Sequence, residues 1–236
     1  MRVAKGRYRD VVSLLSDFTA RYSSSEAWLY DRFIAPAVMD MGETVGDDYL
    51  RLLPQGAEVL EVGCGGGQFA RSQLDKRGDL RWIGLDVSAE QIARARQRNA
   101  NQESEFVVGD ALELPFPDER FDAVVSIASI KHWPNQAKGL AECVRALRPG
   151  GQLLVVEADR GCRLEDARSF VSRWRFPAVT RPVNLALFRT LVAGRSLDLD
   201  DARALMSDLP LARWEVIRLE GTPAILMRGE RRKRAA

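Results

Sequence analysis

Hydrophobic positions divide the chain into stretches of different period. Over residues 8–53 they recur at helical spacing, at Val11, Leu14, Leu15 and Phe18 and again at Trp28, Leu29, Phe33 and Ile34. Over residues 57–157 short apolar runs alternate with helical patterns. The runs Glu58–Val62, Arg81–Leu85, Glu105–Val108, Ala123–Ile127 and Leu153–Val156 predict strands, and Ala137, Leu140, Ala141, Val144 and Leu147 make one apolar helix face. Strands alternating with helices predict a parallel sheet built from right-handed crossovers. Residues 160–211 return to helical spacing, rich in arginine and aromatics. Trp214–Leu219 and Ala224–Met227, separated by Glu220-Gly221-Thr222-Pro223, predict a hairpin that gives the sheet an antiparallel edge. The expected organisation is a single domain: an N-terminal helical cap (1–53), a ligand-binding core (54–159), a helical cap insertion (160–211), the terminal hairpin (212–229) and a basic tail (230–236).

The most informative segment is Val59-Leu60-Glu61-Val62-Gly63-Cys64-Gly65-Gly66-Gly67-Gln68-Phe69. A buried strand ends on an acid, and a glycine-rich turn leads into a helix whose free N–H groups suit an anionic group. Such a loop lies outside the carboxyl ends of the strands, where open α/β sheets bind ligands. Taken alone it has two readings. Gly65-Gly66-Gly67-Gln68-Phe69-Ala70 satisfies the G-x-G-x-x-A form of a dinucleotide fingerprint, and Asp86 stands where a ribose-binding acid is expected. An NAD-dependent oxidoreductase is therefore one alternative.

Later segments favour another reading. Val108-Gly109-Asp110-Ala111-Leu112-Glu113-Leu114-Pro115-Phe116 follows the third strand, then Phe121-Asp122-Ala123-Val124-Val125-Ser126, and Leu147-Arg148-Pro149-Gly150-Gly151 leads into the fifth. With these motifs the chain resembles the class I S-adenosylmethionine-dependent methyltransferases, in particular the small-molecule ubiquinone/menaquinone-biosynthesis type. The resemblance covers residues 57–157 closely and the hairpin by order of elements. It implies a Rossmann-like, doubly wound, seven-stranded α/β sheet, mostly parallel with an antiparallel C-terminal strand, plus a helical cap. It also implies S-adenosyl-L-methionine as cofactor and S-adenosyl-L-homocysteine as its product. By the same resemblance Glu61, Gly63, Cys64, Gly65 and Gly67 surround the methionine part, and Asp86 accepts the ribose hydroxyls with its two oxygens. Asp110 and the Ala111 N–H read the adenine, Val87 and Leu112 cover its faces, and Ser126 and Ile127 line the methionine end.

Methyl transfer is an in-line displacement that depends chiefly on holding the acceptor in place, with a base needed only for a protonated nucleophile. His132, in Ser129-Ile130-Lys131-His132-Trp133-Pro134-Asn135, resembles the second histidine of a family segment facing that site. Lys131 replaces the first histidine and Asn135 the usual acid, so His132 is either a base or acceptor ligand, or a residue holding this loop. Candidate acceptor contacts are Tyr22 and Tyr30 from the N-terminal cap, Lys131 and Trp133 from the loop, and Trp174 from the second cap. Arginine interleaved with aromatics in residues 160–211 suits a flat or apolar acceptor bearing a negative group, although such arginines also lie along ordinary helix surfaces. The acceptor expected is a small molecule; RNA or protein is the alternative class, and a cofactor-binding interaction module is a third.

Composition narrows this picture without creating it. Lys+Arg number 35 against 33 Asp+Glu, a formal net charge of +2, which gives no global pull towards nucleic acid. One histidine and three scattered cysteines, Cys64, Cys143 and Cys162, exclude a His-rich or Cys-rich metal site and a disulfide framework, so no metal is expected. Of the 35 basic residues 30 are arginine, a surplus that genome composition explains as well as phosphate binding does. No secretory signal or run of ~20 apolar residues stands out, so a cytoplasmic protein without a membrane span is expected. The tail Arg228–Arg234 reads as a solvated terminus.

Overall fold

The computed structural model describes residues 32–233, apart from the Thr44 side chain. Seven strands form one sheet in the order β3-β2-β1-β4-β5-β7-β6. They are β1 (Glu58–Val62), β2 (Arg81–Asp86), β3 (Ser104–Val108), β4 (Phe121–Ile127), β5 (Leu147–Ala158), β6 (Leu211–Arg218) and β7 (Ala224–Arg231). The first five run parallel, β7 lies antiparallel to β5, and β6 pairs antiparallel with β7. The seven-stranded, doubly wound arrangement expected from the sequence is the one observed. All seven residues of β4 are buried, as a central parallel strand covered on both faces requires.

Two apolar layers flank the sheet. One joins Leu74, Trp82, Ile92 and Phe106 to Val38, Met41, Phe170 and Phe188, and the other joins Leu60, Val124, Leu140, Val144, Met206 and Ile225. Helix α1 (Ala35–Tyr49) starts with a proline in its first turn and buries Ala37, Val38, Met41 and Val45, one face at helical spacing. Gly42 lets it approach closely: a Cβ there would stand 3.2 Å from the Phe69 ring. Helices α2 (Gln68–Lys76), α3 (Ala89–Arg98) and α4 (Gln136–Ala146) are the crossovers, with α3 capped by Ser88 and α4 by Asn135, whose side chain accepts from the Lys138 N–H. Helices α5 (Leu164–Ser172), α6 (Arg181–Leu187) and α7 (Leu199–Ser207) follow β5.

The boundaries that differ most from the sequence reading are those of β5 and the hairpin strands. β5 begins at Leu147, which pairs with Phe121; Arg148-Pro149-Gly150-Gly151, with Gly150 at φ 83, forms an irregularity before pairing with β4 resumes at Gln152 and Ala123. The hairpin strands run to Arg218 and Arg231. The expected solvated tail is thus largely strand: Arg228 pairs with Glu215 at 2.6 Å, and Arg231 pairs with Glu119 at 3.2 Å and donates to the Arg145 carbonyl at 2.7 Å. Among the described residues no helix is long and apolar enough to cross a membrane, and no cluster of three or more His, Cys, Asp or Glu could hold a metal.

Candidate active site

A cavity opens at the carboxyl ends of β1, β2, β4 and β5, roofed by α1 and the segment after β5. The β1–α2 turn forms its floor. Gly63 and Cys64 donate to the Leu85 carbonyl at 2.7 and 3.0 Å, stitching the turn to β2. Gly63 has φ +77 and a Cβ there would fall 1.8 Å from Ser129 Oγ, so only glycine admits the β4 loop. Gly65 has φ +50, and a Cβ there would meet no protein atom within 4 Å. Its N–H donates to Asp86 Oδ2 at 3.0 Å while Ser88 N–H donates to Oδ1 at 2.9 Å. Burial raises the Asp86 pKa against these two donors.

Glu61 is 2% exposed near the end of β1, and its Oε2 accepts from the Trp82 indole N–H at 3.0 Å. Burial pushes its pKa up to about 8, with Asp86 adding to the rise and the Trp82 hydrogen bond opposing it. Near neutral pH this carboxyl therefore holds a proton unless a cation sits beside it. Cys64 is buried nearby with its thiol pushed well up by burial and by Glu61 and Asp86, which makes it an inert wall.

The β4–α4 loop supplies the opposite wall. Ala128 takes a left-handed φ of 54 and donates to the Val156 carbonyl at 2.7 Å, so Ala128, Ser129, Lys131 and His132 reach the cavity. Lys131 does not offer a solvated ammonium, nor one waiting for an acidic acceptor. Its Nζ donates to Glu157 Oε1 at 2.9 Å and to the Ala128 carbonyl at 2.6 Å, and the two charged side chains are 7% and 0% exposed. Glu157 also accepts the Lys131 N–H at 3.1 Å and the Ala158 N–H at 2.8 Å. This pair ties the loop carrying His132 to the end of β5.

Other expected contacts fall outside the cavity. Trp133 packs against Gly139 in the layer beyond the sheet and donates to Ser129 Oγ at 3.1 Å, so it buttresses the loop. Ser126 is 1% exposed and points its hydroxyl into the interior, while Ile127 does line the cavity. Gly67, Val87, Asp110, Ala111 and Leu112 do not line it either. Val87 and Val108 are 56% and 52% exposed at the ends of adjacent strands, beside Asp110, whose Oδ1 accepts the Leu112 N–H at 2.8 Å. These residues make an open shelf next to Asp86. Tyr22 and Tyr30 lie outside the described residues.

The far end of the cavity is apolar. Ile34, just before α1, and Val38 and Met41 from α1 line this end together with Phe170, Trp174, Phe188 and Val192. Phe170 stands 5.1 Å from Phe188 and 6.0 Å from Trp174 between ring centroids, and Phe33 stacks on Phe176 at 4.7 Å. Of these residues the sequence reading singled out only Trp174 as an acceptor contact. Glu157 and Ala158 were also missed, although Glu157 carries the same signal as Glu61, an acid directly after a buried apolar run.

The sheet decides between the two readings of the glycine loop. A dinucleotide-binding sheet runs 3-2-1-4-5-6; here the reversed β7 stands between β5 and β6. A methyltransferase-domain family profile matches residues 60–155. Residues 60–155, the core of the chain, form a methyltransferase-family domain. It is 41% identical over 104 residues to a fatty-acid O-methyltransferase of Mycolicibacterium smegmatis, covering 44% of this chain and 38% of that one. It is 34% identical over 110 residues to a demethylmenaquinone methyltransferase of Bacillus licheniformis, covering 46% and 47%. The matched region thus spans less than half the length of either relative. A solved S-adenosylmethionine-dependent methyltransferase from Aquifex aeolicus shares the methyltransferase fold at a TM-score of 0.64 and 16% identity, over 89% of this chain and 98% of that one.

Proposed function

We propose that this methyltransferase domain transfers a methyl group from S-adenosylmethionine to a small, largely apolar acceptor enclosed under the helical roof. The observation that carries the reading is the change of character along one cavity, from Glu61, Gly65 and Asp86 at one end to Ile34, Val38, Met41, Phe170, Trp174 and Phe188 at the other. The first end fits the cofactor: a glycine with open space beyond its α-carbon, a carboxylate already held by two N–H donors, and a buried carboxyl that gains from a cation. When bound, the cofactor supplies an electrophilic methyl group on positively charged sulfur.

In this reading the Asp86 oxygens hold the ribose hydroxyls, and ionised Glu61 faces the cationic methionine end. The exposed shelf of Val87, Val108 and Asp110 takes the adenine. The Lys131–Glu157 pair fixes the loop, so that His132 stands at the junction of the two ends as an orienting ligand or as the base for an acceptor that arrives protonated. The apolar wall holds the acceptor body and keeps water away. Relatives named for a fatty acid and for demethylmenaquinone fit an acceptor with an apolar body and one polar, methyl-accepting atom. A single-turnover screen of long-chain carboxylic acids and prenylated phenols with labelled S-adenosylmethionine tests this. Methylation of one of these classes is expected, and transfer only to RNA or protein would overturn it. If His132 acts as a base, His132→Ala lowers turnover at least ~10²-fold with cofactor affinity intact; unchanged turnover assigns His132 to holding the loop.

A further inference from the structure

The chain's near-neutral balance conceals one strongly basic segment. Residues 160–195 contain eight arginines against two acids, Glu165 and Asp166, a net +6 in a chain whose total is +2. Three of the arginines are occupied locally: Arg160 by Asp198 and Asp201, Arg163 by Glu165 and Arg173 by Asp40. Arg168, Arg175, Arg181 and Arg189 are exposed and make no ion pair among the described residues.

Apolar side chains stand exposed among them. Residues 178–195 are continuously helical, through Ala178–Thr180, α6, Phe188–Val192 and Ala193–Arg195. One side of this run is turned inward, with Asn184 and Phe188 at 2% and 1% exposure and Phe188 and Val192 on the cavity wall. The opposite side carries Val179 and Val183 at 85% and 48% exposure, with Ala186 one helical step further, and Arg181 and Arg189 are exposed within the same helical run. Val179 and Val183, four residues apart on the helical run, stand next to each other and make one small exposed apolar patch.

We propose that this face docks the domain on an anionic lipid bilayer, with the arginines at the headgroups and Val179 and Val183 in the acyl boundary. Arginines alone would suit nucleic acid equally well. The valines separate the two, since they gain nothing against a phosphate backbone and gain by burial at a membrane interface. The same helical run separates the exposed face from the apolar end of the cavity. A lipophilic acceptor would then be met at the surface in which it dissolves. The inference does not depend on the acceptor reading, because docking is measured with neither cofactor nor acceptor present.

The test is co-sedimentation of the full chain with vesicles of phosphatidylcholine, pure or containing ~30% phosphatidylglycerol, at low and at ~0.5 M salt. Binding is expected to the anionic vesicles only and to weaken at least tenfold in high salt. Arg181→Glu/Arg189→Glu is expected to lower it at least tenfold. Val179→Ser/Val183→Ser is expected to lower it several-fold, as is Arg168→Gln/Arg175→Gln, with thermal midpoints unchanged for all three. The proposal is overturned by an absence of anionic-vesicle binding, or by equal binding of properly folded charge-reversed protein. It is overturned equally by tighter binding to a single-stranded RNA than to vesicles, or by vesicle-independent self-association that the valine variant abolishes, which would give the face to a second copy.

Discussion

Replacing Glu61 by glutamine tests the electrostatics at the heart of the site. The carboxyl has an ordinary value of 4.5 in the unfolded chain and is pushed up to about 8 when folded. The unfolded state therefore gives up this proton first as pH rises. Stability associated with the group is fully present below pH 4.5 and is lost progressively until pH passes about 8. At about 1.4 kcal/mol per pH unit, the whole window amounts to roughly 5 kcal/mol. Glutamine keeps an acceptor for the Trp82 N–H and has no proton to lose. In urea denaturation between pH 5 and 8 the wild-type midpoint is expected to fall more steeply than that of Glu61→Gln, with the two differing by several kcal/mol at pH 8. Binding S-adenosylhomocysteine, whose ammonium favours the ionised carboxylate, is expected to release up to one proton from the wild type near pH 6.5 and none from the variant. Calorimetry in buffers of different ionisation enthalpy reads that number. Parallel stability curves and equal proton release would refute the reasoning, because the buried carboxyl would then titrate alike in both states.

Three further outcomes follow from the geometry. Lys131→Met strands Glu157 at 0% exposure and is expected to cost about 3–5 kcal/mol in urea denaturation, most of it regained in Lys131→Met/Glu157→Gln; an equal cost in both would remove the ion pair as the cause. Gly63→Ala places a Cβ 1.8 Å from Ser129 Oγ at φ +77, whereas Gly56→Ala, at φ +72, meets nothing within 4 Å. Thermal unfolding is expected to show only the ~1–2 kcal/mol backbone cost for Gly56→Ala and clearly more for Gly63→Ala. Asp86→Asn sets an amide NH2 against either the Gly65 or the Ser88 N–H, and is expected to cost about 1–3 kcal/mol in stability and to weaken S-adenosylhomocysteine binding by about 10–100-fold.

Alternation of apolar runs with helical patterns was enough to place the central strands, because a parallel strand covered on both faces must be continuously apolar. The glycine turn was legible for a related reason: Gly63 and Gly65 need φ values that other residues adopt with strain. Side-chain direction was not legible. Lys131 and Trp133 sit two residues apart beside His132, and sequence gives no sign that one is neutralised by Glu157 while the other passes to the far layer. The β5 boundary was lost because Pro149, Gly150 and Gly151 interrupt the strand pattern, while Leu147 before them already pairs with Phe121 of β4. The apolar wall contributed by Ile34, Val38 and Met41 depends on how α1 crosses α2, which Gly42 and Phe69 set through a contact distant in sequence.

We propose that the glycine turn, Glu61 and Asp86 form a site for S-adenosylmethionine and not for a nicotinamide dinucleotide. Isothermal titration of the full chain at pH 8 with S-adenosylhomocysteine and, separately, with NAD tests it most directly. Saturable one-to-one binding of S-adenosylhomocysteine, weakened in Asp86→Asn, is expected, with no measurable heat with NAD. Tighter binding of NAD than of S-adenosylhomocysteine would contradict it.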